Sequence, residues 1–419
     1  MDNNLSLFTT VQKCRVCKAG LDHELTSFPQ LPVAGTYGKP GENSPDPLFP
    51  LTLMQCSACN FVQLKESIRP SFYEQYRFLS GVASGYKEHL SAIARDLASQ
   101  LPPASHVIEI GASDGTLLDY LRSFGFSVVG FEPAFEPAQR AQQKGLPIIS
   151  SFFNRETARL CPFRPVDVVV VRHVLEHLDD FDAIFSGLNQ LVSPQTLLLV
   201  EVPDLTSTVE LSIYSNIYHL HPCYFDIASL SQLLARYGWC AMGSKIVDVF
   251  GGSLFLWAHQ VGAKTERVMG FRTVRGSDPV RLENADLHAF LAAWKTKSHD
   301  TRRFFDDFRK QGTRVAGYGA AERTTSLLGT AGLTSSHIQA IYDRNPALEG
   351  LAMPGSGIPI RKPEALLKDR PEYLVIFARS FEVEIVQEFA GFRASGGRFI
   401  STRSLPPLVL EQVDHPGAN

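Results

Sequence analysis

The stretch that decides the fold reads His106-Val-Ile-Glu-Ile-Gly-Ala-Ser-Asp-Gly-Thr-Leu-Leu-Asp-Tyr-Leu-Arg122, followed by Val128-Val-Gly-Phe-Glu-Pro133. An apolar run precedes Gly111 and Gly115, and leucines at helical spacing follow them, which predicts a buried strand, a tight turn and a helix. Glycines at such a turn let the backbone approach a ligand closely. A second apolar run ends in Glu132, about 20 residues beyond the turn, where a carboxylate can accept both hydroxyls of a ribose.

The spacing of this turn differs from the dinucleotide pattern Gly-x-Gly-x-x-Gly, because no third glycine precedes the helix. An acid-x-Gly-x-x-x-Gly turn with an acidic residue after the second strand resembles the class I methyltransferases that use S-adenosylmethionine (SAM). The resemblance implies that Gly111 lies under the methionine portion of the cofactor, Asp114 near its ammonium group, and Glu132 at its ribose. The alternative interpretation is an ordinary α/β turn with a surface glutamate.

Composition indicates a globular protein of two to three domains, since the chain has 419 residues, of which 44% are hydrophobic and 20% charged. The formal net charge of −3 gives no reason to expect nucleic acid or an anionic membrane as a partner. No apolar run approaches the ~20 residues that span a bilayer. The N-terminus lacks the layout of a signal peptide, so the predicted location is cytoplasmic.

Four of the seven cysteines form two Cys-x-x-Cys pairs, Cys14 with Cys17 and Cys56 with Cys59, separated by 38 residues. An odd cysteine count in a chain without a signal peptide argues against a disulfide framework. Two such pairs supply the four thiolates of a closed, tetrahedral, structural Zn²⁺ site, provided that a loop folds back. The alternatives are coincidental pairs or a redox motif, and neither pair opens a helix as a redox motif would.

A valine-rich run, Asp167-Val-Val-Val-Val171, predicts a central parallel strand. Positions just past the carboxyl end of such a strand face the ligand crevice, which makes Arg172, His173, Glu176 and His177 site candidates. His177 could equally cap or pack against the following helix. The residues expected to contact the cofactor are Glu109, Gly111, Asp114, Gly115, Glu132, Pro133, Arg172 and His173.

Two histidines and two tyrosines crowd the segment Tyr218-His-Leu-His-Pro-Cys-Tyr224, and Pro222 makes a regular helix through it unlikely to form. Histidine has a near-neutral pKa and tyrosine can hydrogen-bond a carbonyl or enolate oxygen, so the segment suits proton transfer. A buried histidine pair and a second metal site, completed only by Asp226, are the alternatives. Further upstream, residues 76–85 form either a lid over the cofactor, with Tyr76 reaching inward, or a linker.

A second strand, glycine turn and helix start at Arg314-Val-Ala-Gly-Tyr-Gly-Ala-Ala-Glu-Arg323, and further strands are predicted near 338–343 and 373–377. Asp343 stands where Glu132 stands in the first unit, which predicts a duplicated doubly wound layout. A helix N-terminus with Arg323 could bind a phosphate. We therefore predict an α/β protein with a zinc-binding module (1–72), a central methyltransferase-type Rossmann-like domain (73–262) and a second Rossmann-like, substrate-binding domain (263–410). The tail after Pro406 is expected to lack regular structure.

Three signatures together resemble the deoxysugar C-methyltransferases: the cysteine pairs, the SAM turn, and Val315-Ala-Gly-Tyr-Gly-Ala with Asp343-Arg-Asn-Pro346 and Met353-Pro-Gly-Ser-Gly-Ile-Pro359. The resemblance covers roughly residues 14–400. Members of that family methylate C3′ of a nucleotide-linked 4-keto-6-deoxysugar. The family carries a Tyr-His-Glu-His stretch whose last histidine is the proposed base, which implies that His221 is the base and that Tyr218 matches.

This chain departs from the family at three positions. Leu220 replaces the family glutamate, Phe250 replaces a histidine, and Arg323 stands where lysine is usual. Tyr76 and His177 match positions that border the family's active site. The expected catalytic residues are His221, Tyr218, Tyr76 and His177. The expected substrate-binding residues are Ser80, His219, Tyr224 and Arg323.

We expect a SAM-dependent enzyme with a structural zinc ion that methylates a carbon beside the ketone of a nucleotide-linked sugar. His221 would remove the proton, Tyr218, Tyr76 or His177 would stabilise the enolate oxygen, and the diphosphate would lie against the C-terminal unit near Arg323. Because Leu220 replaces glutamate, O- or N-methylation or a different activated ketone is the alternative. A third hypothesis is a protein that binds SAM and a sugar nucleotide without catalysis. Monomer and homodimer both remain open.

Overall fold

The computed structural model describes residues 8–40, 46–75, 79, 81, 84–263, 271 and 276–410. Tyr76 and Ser80 lie outside the described residues. The strands are β1 (Phe8–Thr10), β2 (His23–Pro32), β3 (Leu48–Gln55), β4 (Val62–Leu64), β5 (Glu66–Ile68), β6 (His106–Ile110), β7 (Ser127–Phe131), β8 (Ile148–Ile149), β9 (Val168–Arg172), β10 (Leu197–Pro203), β11 (Cys223–Tyr224), β12 (Trp239–Val247), β13 (Ser253–Gln260), β14 (Val315–Tyr318), β15 (Ile341–Tyr342), β16 (Ile360–Arg361), β17 (Tyr373–Ile376), β18 (Arg398–Ser401) and β19 (Leu408–Val409). The helices are α1 (Ser84–Gln100), α2 (Thr116–Ser123), α3 (Phe135–Gln143), α4 (Phe181–Leu188), α5 (Leu205–Glu210), α6 (Ile227–Arg236), α7 (Asn284–Lys310), α8 (Glu322–Ala331), α9 (Leu366–Asp369), α10 (Glu382–Glu388) and α11 (Ala390–Ala394).

The central sheet has seven strands in the order β12-β13-β10-β9-β6-β7-β8. The five strands from β10 to β8 run parallel to their neighbours, β13 pairs antiparallel with β10, and β12 pairs antiparallel with β13. Strand β9 is buried along its whole length, as its valine run predicts for a strand covered on both faces. The chain order reverses between β6 and β9, and the crevice beyond the carboxyl ends of these strands is where such sheets bind ligands.

A second α/β sheet has six strands in the order β16-β15-β14-β17-β18-β19. Its first five strands are parallel and follow the same relative chain order as β8-β7-β6-β9-β10, which confirms the predicted second Rossmann-like domain. Strand β19 pairs antiparallel with β18, through Ile400 with Val409 and Ser401 with Leu408. The expectation that the tail after Pro406 lacks regular structure is therefore wrong for residues 408–409, because a distant strand supplies their partners.

The N-terminal region is built from strands, of which β2 has ten residues and β3 has eight. β1 pairs with β5, and a four-stranded sheet has the order β11-β4-β3-β2. None of the helices in the described ranges combines the length and the apolar content that a bilayer-spanning segment requires.

The chain forms two compact units, and these do not follow the order of the sequence. The first unit contains residues 1–27, 52–208 and 219–283, and the second contains residues 28–51, 209–218 and 284–419. The core of the first unit includes Val169 and Val171 of β9 and Phe131 of β7. The second unit has a core of its own around Leu374 and Phe399. The domain boundaries at 72 and 262 stay a prediction.

Candidate active site and cysteine cluster

The two Cys-x-x-Cys pairs lie together in the first unit. Cys14 Sγ is 3.6 Å from Cys59 Sγ, and Cys17 Sγ is 3.5 Å from Cys56 Sγ. Four thiolates on a tetrahedral Zn²⁺ with Zn–S bonds of ~2.3 Å are separated by ~3.8 Å, so the observed spacing fits the ion closely. The separations are too long for disulfide bonds, and the four sulfurs fill the coordination of the ion.

The two pairs have matching backbones, which explains how they present their thiolates alike. In the first, the amide of Lys18 donates to Cys14 O at 2.9 Å; in the second, the amide of Asn60 donates to Cys56 O at 2.8 Å. Lys18 and Asn60 both adopt a left-handed backbone, with φ of 64° and 61°. Each loop therefore turns sharply behind its second cysteine.

The glycine turn between β6 and α2 can accept only a residue without a side chain at Gly111. Gly111 has a φ of 75°, and a Cβ built on it would lie 2.4 Å from Val174 Cγ2. The backbone at Gly81 passes over the same turn, since a Cβ there would lie 2.5 Å from Asp114 Oδ2. Asp114 is nearly buried, and its Oδ1 accepts from Thr116 Oγ1 at 2.8 Å.

Glu132 follows β7 and is held by the backbone at both carboxylate oxygens. The amide of Ser113 donates to Oε2 at 2.7 Å, and the amide of Ala134 donates to Oε1 at 2.8 Å. Burial raises the pKa of Glu132, although these two hydrogen bonds oppose that shift. Each oxygen keeps a further lone pair, so a fixed carboxylate of this kind fits the two hydroxyls of a ribose.

Two of the residues predicted to contact the cofactor pair with each other inside the fold. Arg172 donates to Glu109 Oε1 at 2.9 Å and to the hydroxyl of Tyr86 at 2.6 Å. Burial raises the pKa of Glu109 to about 7, because the loss of hydration outweighs the attraction of Arg172. A direct contact of Glu109 or Arg172 with the cofactor stays a prediction.

The buried carboxylate of Glu201, on strand β10, lies beside two histidines. The Nε2 atom of His89 lies 3.0 Å from both oxygens of Glu201, and His173 Nε2 lies 3.6 Å from Oε1. On its other side, His173 Nδ1 lies 3.2 Å from Glu176 Oε1. Burial alone would lower the pKa of His173, but the hydrogen bond with Glu176 and the nearby negative charge of Glu201 outweigh it and raise the pKa to about 9.

Glu176, His177 and His221 form a second cluster in the first unit. One carboxylate oxygen and one nitrogen of each imidazole all lie within 4.8 Å of one another. The ring centroids of His177 and His221 are 4.9 Å apart. His177 Nδ1 donates to the backbone oxygen of Leu220 at 2.6 Å, and burial lowers the pKa of His177.

The remaining predicted residues are distributed over both units. His219 is buried with its ring 5.3 Å from that of Phe8, and Tyr224 is buried in β11. Tyr218 is buried in the second unit. Asp226 does not complete a metal site with the histidines, because its carboxylate caps α6 by accepting from the amide of Ser229 at 2.8 Å; the carboxylate near His221 is Glu176.

The second unit repeats the acid-and-turn arrangement of the first. The amide of Ala320 donates to Asp343 Oδ2 at 2.7 Å, and the amide of Asn345 donates to Oδ1 at 2.8 Å. Arg323 opens α8 beside two further cations, Arg379 and Arg403. Burial first, and then repulsion from Arg323 and Arg403, lower the pKa of Arg379 to about 10.

Sequence reasoning missed three residues that shape the first unit's site: Tyr86, His89 and Glu201. Glu201 could have been predicted as a site residue, since an ionisable residue near the carboxyl end of an otherwise apolar parallel strand faces the ligand crevice. Tyr86 and His89 lie three residues apart on one side of α1, within an apolar helical pattern that concealed them. Their roles depend on Arg172 and Glu201, which are remote in the sequence.

Comparison with known proteins gives three matches to domain families. Residues 14–72 match a zinc-binding domain, residues 83–241 match a methyltransferase domain, and residues 248–403 match the C-methyltransferase C-terminal domain. The C-methyltransferase NovU of Streptomyces niveus is 28% identical over 412 residues, which cover 95% of this chain and 97% of NovU.

Two solved structures illustrate the partial overlap with other methyltransferases. Magnesium protoporphyrin IX methyltransferase of Synechocystis PCC 6803 with bound SAM is 18% identical, with a TM-score of 0.33, and the match covers 42% of this chain and 80% of that chain. A SAM-dependent methyltransferase of Archaeoglobus fulgidus is 17% identical, with a TM-score of 0.34, over 42% of this chain and 94% of that chain.

The topology of the central sheet, the buried carboxylate of Glu132 and the four-sulfur cluster agree with the three domain matches. The predicted cofactors, SAM and a structural zinc ion, are confirmed. The chain is a SAM-dependent methyltransferase whose zinc-binding, methyltransferase and C-terminal regions match the domains found in C-methyltransferases.

Proposed function

We propose that this C-methyltransferase methylates the carbon beside the ketone of a nucleotide-linked keto-deoxysugar. The observation that carries the proposal is the pair of imidazoles, His177 and His221, in the same compact unit as the Gly111 turn and Glu132. His177 follows the carboxyl end of β9, on the side of the sheet where ligands bind. A carbon beside a ketone loses a proton to a base of near-neutral pKa, and histidine is that base in proteins.

When bound, SAM supplies an electrophilic methyl group on its sulfonium sulfur. His221 accepts the proton from the carbon beside the ketone, and the electron pair of the broken C–H bond delocalises onto the ketone oxygen as an enolate. The nucleophilic carbon would take the methyl group that bound SAM supplies, with S-adenosylhomocysteine as the leaving group. The proton leaves His221 for solvent. His221 is only 6% exposed, which keeps bulk water from competing for the site.

The hydrogen bond of His177 changes the role that we assign to it. A carbonyl oxygen only accepts, so the proton of His177 is on Nδ1, and the lowered pKa keeps the ring neutral. Its Nε2 therefore accepts hydrogen bonds and does not donate to an enolate oxygen. In the proposal His177 orients a hydroxyl or water near His221, and the hydroxyl of Tyr218 or Tyr76 serves the enolate oxygen.

The nucleotide part of the proposal is supported by positive charge in the second unit. Burial first, and then the charges of Arg323 and Arg403, lower the pKa of Arg379. Within this cluster Glu382 pairs with Arg403 at 3.2 Å, and an anion would stabilise the cluster further. Guanidinium groups bind phosphate oxygens in bidentate fashion, and a diphosphate offers several of these. Ser80, His219 and Tyr224 stay the predicted contacts of the sugar.

The proposal is tested by incubating the protein with SAM carrying a ¹³C methyl group and a panel of nucleotide-linked ketosugars, then locating the label by NMR. A methyl group on carbon agrees with the proposal, whereas a label on oxygen or nitrogen would support the altered chemistry suggested by Leu220. No label on any sugar, together with no deuterium exchange beside the ketone, would support a binding protein.

The base is tested by His221→Asn, which should lower turnover by about 100-fold or more while SAM still binds. His259→Asn is the matched control, because His259 is a buried histidine of β13 that bonds the backbone oxygen of Thr196 at 3.1 Å. The control should keep its turnover. Full activity of His221→Asn would remove His221 as the base.

A further inference from the structure

Glu176 is a buried carboxylate that has one oxygen in use and one without a partner. It lies in the turn after β9, and its side chain is 2% exposed. Oε1 lies 3.2 Å from His173 Nδ1. Oε2 is fully buried and accepts no hydrogen bond from any residue that the structure describes. An unpartnered carboxylate oxygen in the interior is costly and is usually retained for a function.

Besides His173, the imidazoles of His177 and His221 lie beside this carboxylate, with one nitrogen of each within 4.8 Å of a Glu176 oxygen and of each other. A carboxylate at such a distance favours the protonated form of an imidazole. His177 does not benefit, because its Nδ1 proton is already donated to Leu220 O and burial keeps the ring neutral. His221 remains as the imidazole that can take up a proton against Glu176.

We propose that Glu176 is a positioning residue for His221. The inference rests on the proposed function, in which His221 is the base. As His221 accepts the proton of the substrate carbon, the charge of Glu176 stabilises the imidazolium that forms. Through its bond to His173, Glu176 is itself held in place, so the pair is preorganised.

Other titratable groups face this cluster, and of these His173 also loses part of the interaction that raises its pKa when the charge of Glu176 is removed. They come from the turn after β9, from β10 and β11, and from the segments around residues 15 and 73. They are His173, His177, Asp179, Glu201, Tyr73, Cys223 and Arg15. Replacement of Glu176 by glutamine therefore removes one negative charge while keeping the side-chain size and an oxygen that can accept from His173.

The test is the pKa of His221, measured by NMR on the full chain with ¹⁵N-labelled histidine and bound S-adenosylhomocysteine. The resonance is assigned by its loss in His221→Asn. In Glu176→Gln we expect the pKa of His221 to fall by about one unit or more. Asp167→Asn is the matched control. Asp167 precedes the amino end of β9, whereas Glu176 follows its carboxyl end, so this variant should leave the pKa of His221 unchanged. An unchanged pKa in Glu176→Gln overturns the inference.

Activity gives a second and separable readout. Where a ketosugar is turned over, the acidic limb of kcat/KM against pH should move to lower pH in Glu176→Gln, with SAM affinity unchanged. If His221→Asn abolishes turnover but Glu176→Gln leaves the limb in place, the inference fails and the proposed function stands. If His221→Asn is active, His221 is not the base and the inference fails with it, whatever the pKa of His221, while the position of the labelled methyl group still decides the proposed function.

Two further measurements keep the outcome decisive. Should Glu176→Gln not fold, Glu176→Asp retains the charge and should leave the pKa of His221 at its wild-type value, so a fall in that variant overturns the inference. Metal analysis of the wild type should give one zinc ion per chain. A second transition-metal ion that disappears in Glu176→Gln would make Glu176, His177 and His221 metal ligands, which also overturns it.

Discussion

Glu132 and Asp343 are held in the same way, each by one amide of its glycine turn and one amide two residues further along the chain. Burial raises the pKa of both carboxylates. The two residues thus occupy equivalent positions, one in the methyltransferase domain and the other in the C-terminal domain. A change at one can be compared with the same change at the other.

Glu132→Ala should weaken SAM binding by about 30-fold or more, because two hydrogen bonds from ribose hydroxyls to a charged group are lost at ~1.5–3 kcal/mol each, with partial compensation by water. Isothermal titration calorimetry with SAM measures the effect. Asp343→Ala is the control and should leave SAM affinity unchanged. If both variants bound SAM equally well, Glu132 would not be the ribose ligand.

His173 makes stability depend on pH. Its pKa is raised from 6.5 to about 9 in the folded protein, so protonation stabilises the fold. This contribution is fully present below pH 6.5 and is lost as pH rises through 9, and it amounts to at most ~3 kcal/mol. His173→Asn tolerates the left-handed backbone, with φ of 51°, but cannot carry the charge.

We therefore expect the melting temperature of His173→Asn to lie several degrees below that of the wild type at pH 6.5, and the gap to narrow by pH 9. Thermal unfolding at both pH values measures it. The comparison between variants cancels the titration of the other groups. A gap that stayed constant or widened with pH would mean that His173 is neutral in the folded state.

At the scale of single elements, the turn between β6 and α2 has a left-handed backbone at Gly111 and leaves no room there for a Cβ atom. Gly111→Ala places a Cβ against Val174 at a φ of 75°, which should lower the free energy of unfolding by more than the ~1 kcal/mol of backbone strain alone and should also weaken SAM binding. Gly312→Ala is the matched control, with a φ of 69° and nothing within 4 Å of its Cβ.

Chemical denaturation and SAM titration of both variants check this prediction. Gly312→Ala should lose about 1 kcal/mol of stability and bind SAM normally. Equal losses in the two variants would show that the backbone strain, and not the contact with Val174, limits position 111.

The elements that sequence reasoning predicted well are those whose signal is local. The valines of β9, the glycines after β6 and β14, and the acids after β7 and β15 are each a few residues apart. Contacts such as His89 with Glu201, 112 residues apart, leave no local pattern, and for this reason the buried network was missed. Strand β19 was missed for the same reason. The role of Asp226 was readable, because Asp-x-x-Ser before an apolar run is a helix-capping pattern.

For the whole molecule, zinc is expected to be structural. Cys56→Ser should lower the zinc content below one ion per chain and lower the melting temperature, because metal binding contributes folding free energy. Cys240→Ser is the control, since Cys240 is exposed in β12 and outside the cluster. Elemental analysis and thermal unfolding measure both. An unchanged melting temperature after zinc loss would assign the metal another role.

The three-domain order of the chain could be predicted from its repeated turns and cysteine pairs. The composition of the two compact units could not, because segments 28–51 and 209–218 join the second unit through tertiary packing. In that unit a Cβ on Gly329 would lie 2.7 Å from Leu31, and Ser326 donates to the backbone oxygen of Ile217 at 3.0 Å. No property of either segment taken alone indicates such partners.

The scattered composition of the second unit has a consequence for biosynthesis. Residues 28–51 leave the ribosome early, yet most of the chain with which they form a compact unit, residues 284–419, is translated much later. At ~5–20 residues per second, this segment waits at least ~10 s for its partners. A fragment beginning near residue 263 would contain the six-stranded sheet but would lack segments 28–51 and 209–218 of the same compact unit. Nascent chains of the full protein should likewise depend on chaperones until residues 284–419 have been made.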